Sequence, residues 1–126
     1  MEESKYIPGT CNIGKKEMIN RRNAAIVEGI LGVLLSAALM YFNTNKLWRL
    51  SVFPLMALFF IGIQQWYYKF CAAFGLKGVF NFGEQLGKVT SVEEKEMLKA
   101  DRNKALKILI TGVILGLAVT LGFYLV

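Results

Sequence analysis

Ala24 to Phe42 reads AAIVEGILGVLLSAALMYF, nineteen residues carrying a single charge. As an α-helix rising 1.5 Å per residue it reaches about 28 Å, which matches the roughly 30 Å hydrocarbon layer of a bilayer. The stretch therefore predicts a membrane-spanning helix over about 24–42. The residues before it, GKKEMINRRN from Gly14, contain no breaker, so the helix is expected to extend back into the headgroups or cytosol, capped by Asn12. Polar residues precede the apolar run and the run is long enough to span, so it reads as a retained anchor and not as a cleaved signal.

Asn43-Thr44-Asn45 is a short polar turn, and a second apolar block returns antiparallel over about 47–68. Pro54 lies less than two turns inside that block, where it removes a helix hydrogen bond and is expected to kink the helix. Trp48 marks one end of the block and Trp66, Tyr67 and Tyr68 the other, as amphipathic rings do at headgroup level. The next segment, FGLKGVFNFGEQLGKV over 74–89, has Gly75, Gly78, Gly83 and Gly87 breaking any period. It reads as irregular chain at the membrane surface, because such backbone would be unsatisfied in lipid. Ser91 followed by Glu94 has the form of a capping box. From there one helix of about 35 residues is expected to run without Gly or Pro through SVEEKEMLKADRNK into a third apolar block, 105–126.

The fold class is thus all-α integral membrane with three transmembrane helices in a single domain: a hairpin over 15–73, an interfacial segment and helix start over 74–104, and a third span. Fifteen Lys and Arg residues set the orientation. Lys5, Lys15, Lys16, Arg21 and Arg22 precede the first span, and eight more lie from Lys69 to Lys107, against only Lys46 and Arg49 in the first loop. Thirteen against two is a positive-inside pattern that places the N-terminus and the second loop in the cytoplasm and the C-terminus outside, in a membrane expected to be the bacterial cytoplasmic one.

Residues of the AVILMFWYC set make up 55% of the chain, gathered in three blocks, which argues against a soluble globule. The net charge of +6 flanks apolar spans and does not form a phosphate-binding patch, so nucleic acid is not an expected partner. The chain has no His, which removes imidazole-ligated zinc, His-ligated haem and a Ser-His-Asp triad. Two cysteines are too few for a disulfide scaffold or a four-thiolate zinc site. No phosphate loop, catalytic carboxylate pair or metal motif is present, so no catalytic residue, metal or cofactor is expected.

The pattern Cys11-Asn12-Ile13-Gly14, then Glu17, Ile19 and Arg22, then a Gly-containing apolar helix, resembles the opening of the transmembrane hairpin of YgaP-like rhodaneses and of related small bacterial membrane proteins. Trp48 at the start of the second helix, Phe70-Cys71 at its end and the following Gly75-Leu76 continue the likeness over residues 11–83. This chain lacks the second cysteine that often follows Phe-Cys there, carries no rhodanese domain and adds a third span. The resemblance implies a hairpin fold more than a sulfur-transfer activity.

Three sets of residues are candidates for function. Glu28 lies six residues, about 9 Å, inside Arg22 and should face the bundle, where Gln64 and Gln65 at similar depth are its natural partners. The cluster reads either as a structural clamp or as a group handling protons, ions or substrate. Cys11 and Cys71 both fall on the cytoplasmic side; they read as inert thiols or as a thiol pair for redox or sulfur chemistry. Gly29, Gly32 and Ser36 on the first span, and Gly112, Gly116 and Thr120 on the third, form small-residue stripes that let helices approach closely, within the chain or across a homo-oligomer. The leading expectation is a non-enzymatic accessory or self-assembling subunit whose partners are lipid and other membrane protein. A thiol component using Cys11 and Cys71, and a small transporter or channel using Glu28, are the alternatives.

Overall fold

The computed structural model describes residues 6–82 and 89–126. Three of its helical elements are long and apolar enough to cross a membrane. Helix α1 is Lys15–Tyr41, a 3-10 segment spans Lys46–Val52 and leads into α2, Phe53–Tyr68, and α4 is Lys95–Leu125. Between α2 and α4 stand a short helix α3, Ala72–Lys77, and two strands, β1 (Val79–Phe80) and β2 (Thr90–Ser91), paired antiparallel.

Helix α2 is the middle of the bundle, with α1 packed on one side and α4 on the other. The three helices approach one another closely at small residues. A Cβ on Gly62 would sit 2.9 Å from Ala25 Cβ, and one on Gly29 would sit 2.8 Å from the Phe59 ring. Gly32 receives the Met56 methyl. On the other flank Gly112 receives Ile61, and a Cβ on Gly116 would sit 2.7 Å from the Ala57 backbone nitrogen. The stripes read from the sequence therefore pack within one chain. Ser36 and Thr120 hydrogen-bond the carbonyls of Gly32 and Gly116 in their own helices, which satisfies both hydroxyls without reaching across.

Local chemistry departs from the expected boundaries in four places. Asn12 does not cap α1: Gly14 is the N-cap, and the Asn12 amide is used elsewhere. Pro54 does not kink α2; it occupies the first turn, where a missing N–H costs nothing, because the preceding turn is 3-10. The Ser91-Glu94 capping box does not form, since Ser91 pairs with Val79 and Val92 N donates to Gly78 O at 2.7 Å, so α4 begins at Lys95. Part of the segment expected to be irregular is ordered as α3, β1 and the turn at Gly78, whose φ of +77° suits glycine. Gly83, Gly87 and Lys88 of that segment, and Lys5, lie outside the described residues.

At the far end, Asn45 accepts from Leu47 N and opens the 3-10 segment. Arg49 donates to Phe123 O at 3.0 Å and lies over the Phe123 ring, which satisfies a carbonyl in the last turn of α4. At the near end the arm over 6–14, the start of α1, the end of α2, α3 and the start of α4 all meet. The described parts of the connector, 69–82 and 89–104, thus share one end of the bundle with the N-terminal arm.

Candidate functional site

Among the described residues five polar side chains are buried, and four of them, Asn12, Glu17, Asn81 and Asp101, gather at this shared end. Their clustering starts with how α2 stops. Lys69 adopts a left-handed φ of 56°, an uncommon conformation for a side chain with a Cβ, and turns its carbonyl toward the arm, where the amides of Asn12 and Ile13 donate to it. The next residues, Phe70 and Cys71, are driven inside, and Cys71 becomes the N-cap of α3.

Asn12 clamps this turn as a second strand would. Its Nδ2 donates to Cys71 O at 3.1 Å and its Oδ1 accepts from Cys71 N at 2.7 Å. The Asn12 carbonyl accepts from Asn81 N, and Asn81 O accepts from Gly14 N at 2.8 Å. Gly14 is required there, since a Cβ would sit 3.0 Å from the Phe82 backbone. Asn81 Nδ2 then donates to Glu17 Oε2 at 2.8 Å, and Glu17 Oε1 pairs with Arg21 Nη2 at 3.2 Å, one turn along α1. The same guanidinium nitrogen donates to Cys71 Sγ at 3.2 Å, and the group lies over the Phe74 ring. Arm, α1, the α2–α3 turn and Asn81, just after β1, are joined in one polar network, in which the buried Arg21 Nε is left without a hydrogen-bond partner among the described residues.

Asp101, fully buried on α4, makes a second latch. Its Oδ1 accepts from Gly9 N at 2.7 Å and its Oδ2 from Tyr6 Oη at 2.6 Å, while the Tyr6 ring stacks on Phe80. Burial, the hydrogen bond to Asp101 and the charge of that carboxylate push the Tyr6 hydroxyl well above its ordinary pKa.

The residues singled out from the sequence are distributed differently. Gln64 donates to Phe60 O and to Ile108 O at 3.0 Å, tying α2 to α4, and Gln65 accepts from Ala72 N at 2.9 Å, opening α3. Both are spent on backbone groups. No hydrogen bond joins Glu28 to either among the described residues. Cys11 and Cys71 are both buried and both free thiols, and the Asn12 clamp brings their chain segments together. Their sulfurs serve different contacts, Cys11 Sγ facing Ile13 O at 3.7 Å and Cys71 Sγ facing Arg21. Burial pushes the Cys11 thiol upward in pKa, which disfavours its thiolate.

Sequence reading missed Asn81 and Asp101 as buried groups, and Arg21 and Tyr6 as half-buried ones. For Glu17 and Arg21 a signal existed: they sit at the i and i+4 positions in line with Ala25 and Gly32, the buried stripe of α1. For Asp101 the same kind of signal existed, in line with Ala105, Ile108 and Gly112 on α4, whereas for Asn81 no local pattern announces burial. Several residues of the hairpin resemblance, Asn12, Gly14, Glu17, Phe70, Cys71 and Gly75, are buried in or beside the network, whereas Arg22 is not, and Arg21 provides the cation. No family model, curated protein or solved structure matches this chain.

Proposed function

We propose that the chain is a multi-pass protein of a bacterial cytoplasmic membrane, arm and connector cytoplasmic and C-terminus outside, acting as a non-enzymatic accessory subunit. One observation carries this reading: the close-approach residues of all three spans are absorbed by α2 inside a single chain, leaving the aliphatic outer faces of α1 and α4 uncovered. Ile26, Ile30 and Val33 on α1, for example, are about half exposed. Such a bundle does not need a second copy to satisfy its glycines, so those faces are available to lipid or to a membrane partner. The rigid cytoplasmic cap would present the partner with a fixed surface. Affinity purification of the intact chain from native membranes in mild detergent should bring down a membrane protein in constant ratio; recovery as a lone chain at monomer mass would overturn the reading. A cysteine introduced at position 126 in a C11S/C71S background should react with a membrane-impermeant maleimide from outside the cell. Protection of that cysteine would reverse the orientation.

The Arg21 contact favours a second reading, a thiol component acting through Cys71. The Arg21 guanidinium donates to the sulfur at 3.2 Å, and the hairpin resemblance lends support. Under this reading Cys11 takes no part, and in the folded protein Cys71 is alkylated faster than Cys11 although it is the less exposed of the two. A rate at Cys71 no higher than that at Cys11 would eliminate it.

A further inference from the structure

The exposed face of α4 is a single row in which charge gives way to hydrocarbon at one point. Lys95, Lys99 and Arg102 stand at i, i+4 and i+7, and the same 4-3-4 spacing continues through Leu106, Ile110, Val113 and Leu117, all of them exposed. The three cations line a groove of about 420 Å³ together with Leu98 and Asn103. Among the described residues no carboxylate makes an ion pair with any of the three, although Glu96 stands one turn from Lys99. Like charges at i and i+4 repel on a bare helix, so the row is unfavourable until an anion joins it.

Given the membrane reading above, on which this inference rests, we propose that the row binds an anionic phospholipid, the phosphate among Lys95, Lys99 and Arg102 and an acyl chain along Leu106, Ile110, Val113 and Leu117. The depths agree. Arg102 is four residues, about 6 Å, above Leu106, which puts its guanidinium at phosphate level where the third span enters the hydrocarbon layer. Lys99 and Lys95 stand above it on flexible stems that reach down. On α2 the exposed Trp66 and Tyr67 anchor the same interface, and Lys104 lies over the Tyr68 ring at 3.8 Å on another side of α4. The opposite row of α4, Asp101, Ala105, Ile108, Gly112 and Gly116, is spent on the protein interior, so the cationic row is turned outward to lipid. A soluble acidic partner would find the cations but has no use for the aliphatic continuation, and that continuity favours lipid.

The full chain is first tested for retention in membranes after alkaline carbonate extraction, then purified in mild detergent and offered phosphatidylglycerol or phosphatidylcholine, with bound lipid counted by native mass spectrometry. Each basic residue near an anionic surface is worth about a five-fold gain in partitioning. Wild type should therefore prefer phosphatidylglycerol by at least ~10-fold, the K95Q/K99Q/R102Q protein should lose that preference, and K15Q/K16Q, with charges removed from α1, should keep it. An undiminished preference in the triple variant overturns the proposal. So does equal binding of glycerol phosphate, which lacks acyl chains, or binding of a soluble polyglutamate peptide without discrimination between the lipids. Release by carbonate would overturn this proposal and the membrane reading together, whereas retention without lipid discrimination would overturn this proposal alone.

Discussion

Arg21 Nη2 lies 3.2 Å from both Glu17 Oε1 and Cys71 Sγ, so a single guanidinium joins the first turns of α1 to the turn that ends α2. The Glu17 side chain is 2% exposed and that of Arg21 is 21% exposed. Breaking a buried pair by removing one partner typically costs 3–5 kcal/mol, and the partial exposure of Arg21 lowers the figure. Arg21→Met is expected to destabilise the detergent-solubilised protein by roughly 2–3 kcal/mol. Adding Glu17→Gln should cost less than the sum of the two single changes, because the carboxylate no longer needs neutralising. Thermal unfolding followed by thiol exposure measures both.

Gly116→Leu is expected to act on the monomer. With Ala57 backbone 2.7 Å from the position of its first side-chain carbon, α2 and α4 must separate, at a cost of about 1–3 kcal/mol or more. Gly122, where an added Cβ meets nothing within 4 Å, should accept Leu without loss. Light scattering in detergent should give the same mass for both variants, with only the Gly116 protein less stable; a mass that falls would point to assembly through this stripe.

Alkaline pH should release the arm. The folded-state pKa of Tyr6 is raised above its ordinary 10.0, so the proton is held more tightly in the folded protein. The stabilisation is complete below about pH 10 and is lost as pH rises through the higher folded value. Melting temperature is expected to hold through neutral pH and to fall in the alkaline range. Tyr6→Phe should lower the neutral plateau by about 1–2 kcal/mol, the loss of a hydrogen bond to a carboxylate, and flatten the alkaline step. A step of unchanged size in Tyr6→Phe would assign it to another group, such as Cys11, whose pKa is also raised.

Both thiols should resist alkylation in the folded protein, since Cys11 is 8% and Cys71 2% exposed. Labelling is expected to be at least ~10-fold slower in mild detergent than in denaturant, reporting how seldom the cap opens. Asn12→Ala, which removes both side-chain hydrogen bonds to the Cys71 backbone, should speed labelling of Cys71; an unchanged rate would mean the clamp does not hold the turn closed.

The three helices long and apolar enough to cross a membrane were legible because length and apolarity are one-dimensional properties: Ala24 to Phe42 is long enough and oily enough whatever surrounds it. The stripes of Gly29, Gly32, Gly112 and Gly116 were equally readable as contact faces, since helical periodicity alone collects them on one side. Which helix each stripe meets was not readable. The choice of α2 as common partner depends on how the hairpin and the third span fold back, and that is a property of three helices at once.

The polar cap shows the same division more sharply. Sequence by itself determined that Glu17, Arg21, Asn12 and Asp101 lie outside the oily stretches, near the ends that carry the cations. It assigned them to caps and solvated faces because a polar residue next to a span ordinarily meets water or headgroups. Only the tertiary structure decided that Asn12, Glu17 and Asp101 are buried and that Arg21 is half-buried against Glu17. Lys69 turns the chain back, the arm adds itself to that turn, and groups up to 95 residues apart become each other's solvent. Burial of a polar group is set by long-range closure and by which donors find acceptors; a helical stripe such as Glu17 and Arg21 with Ala25 hints at it, but no local window decides it.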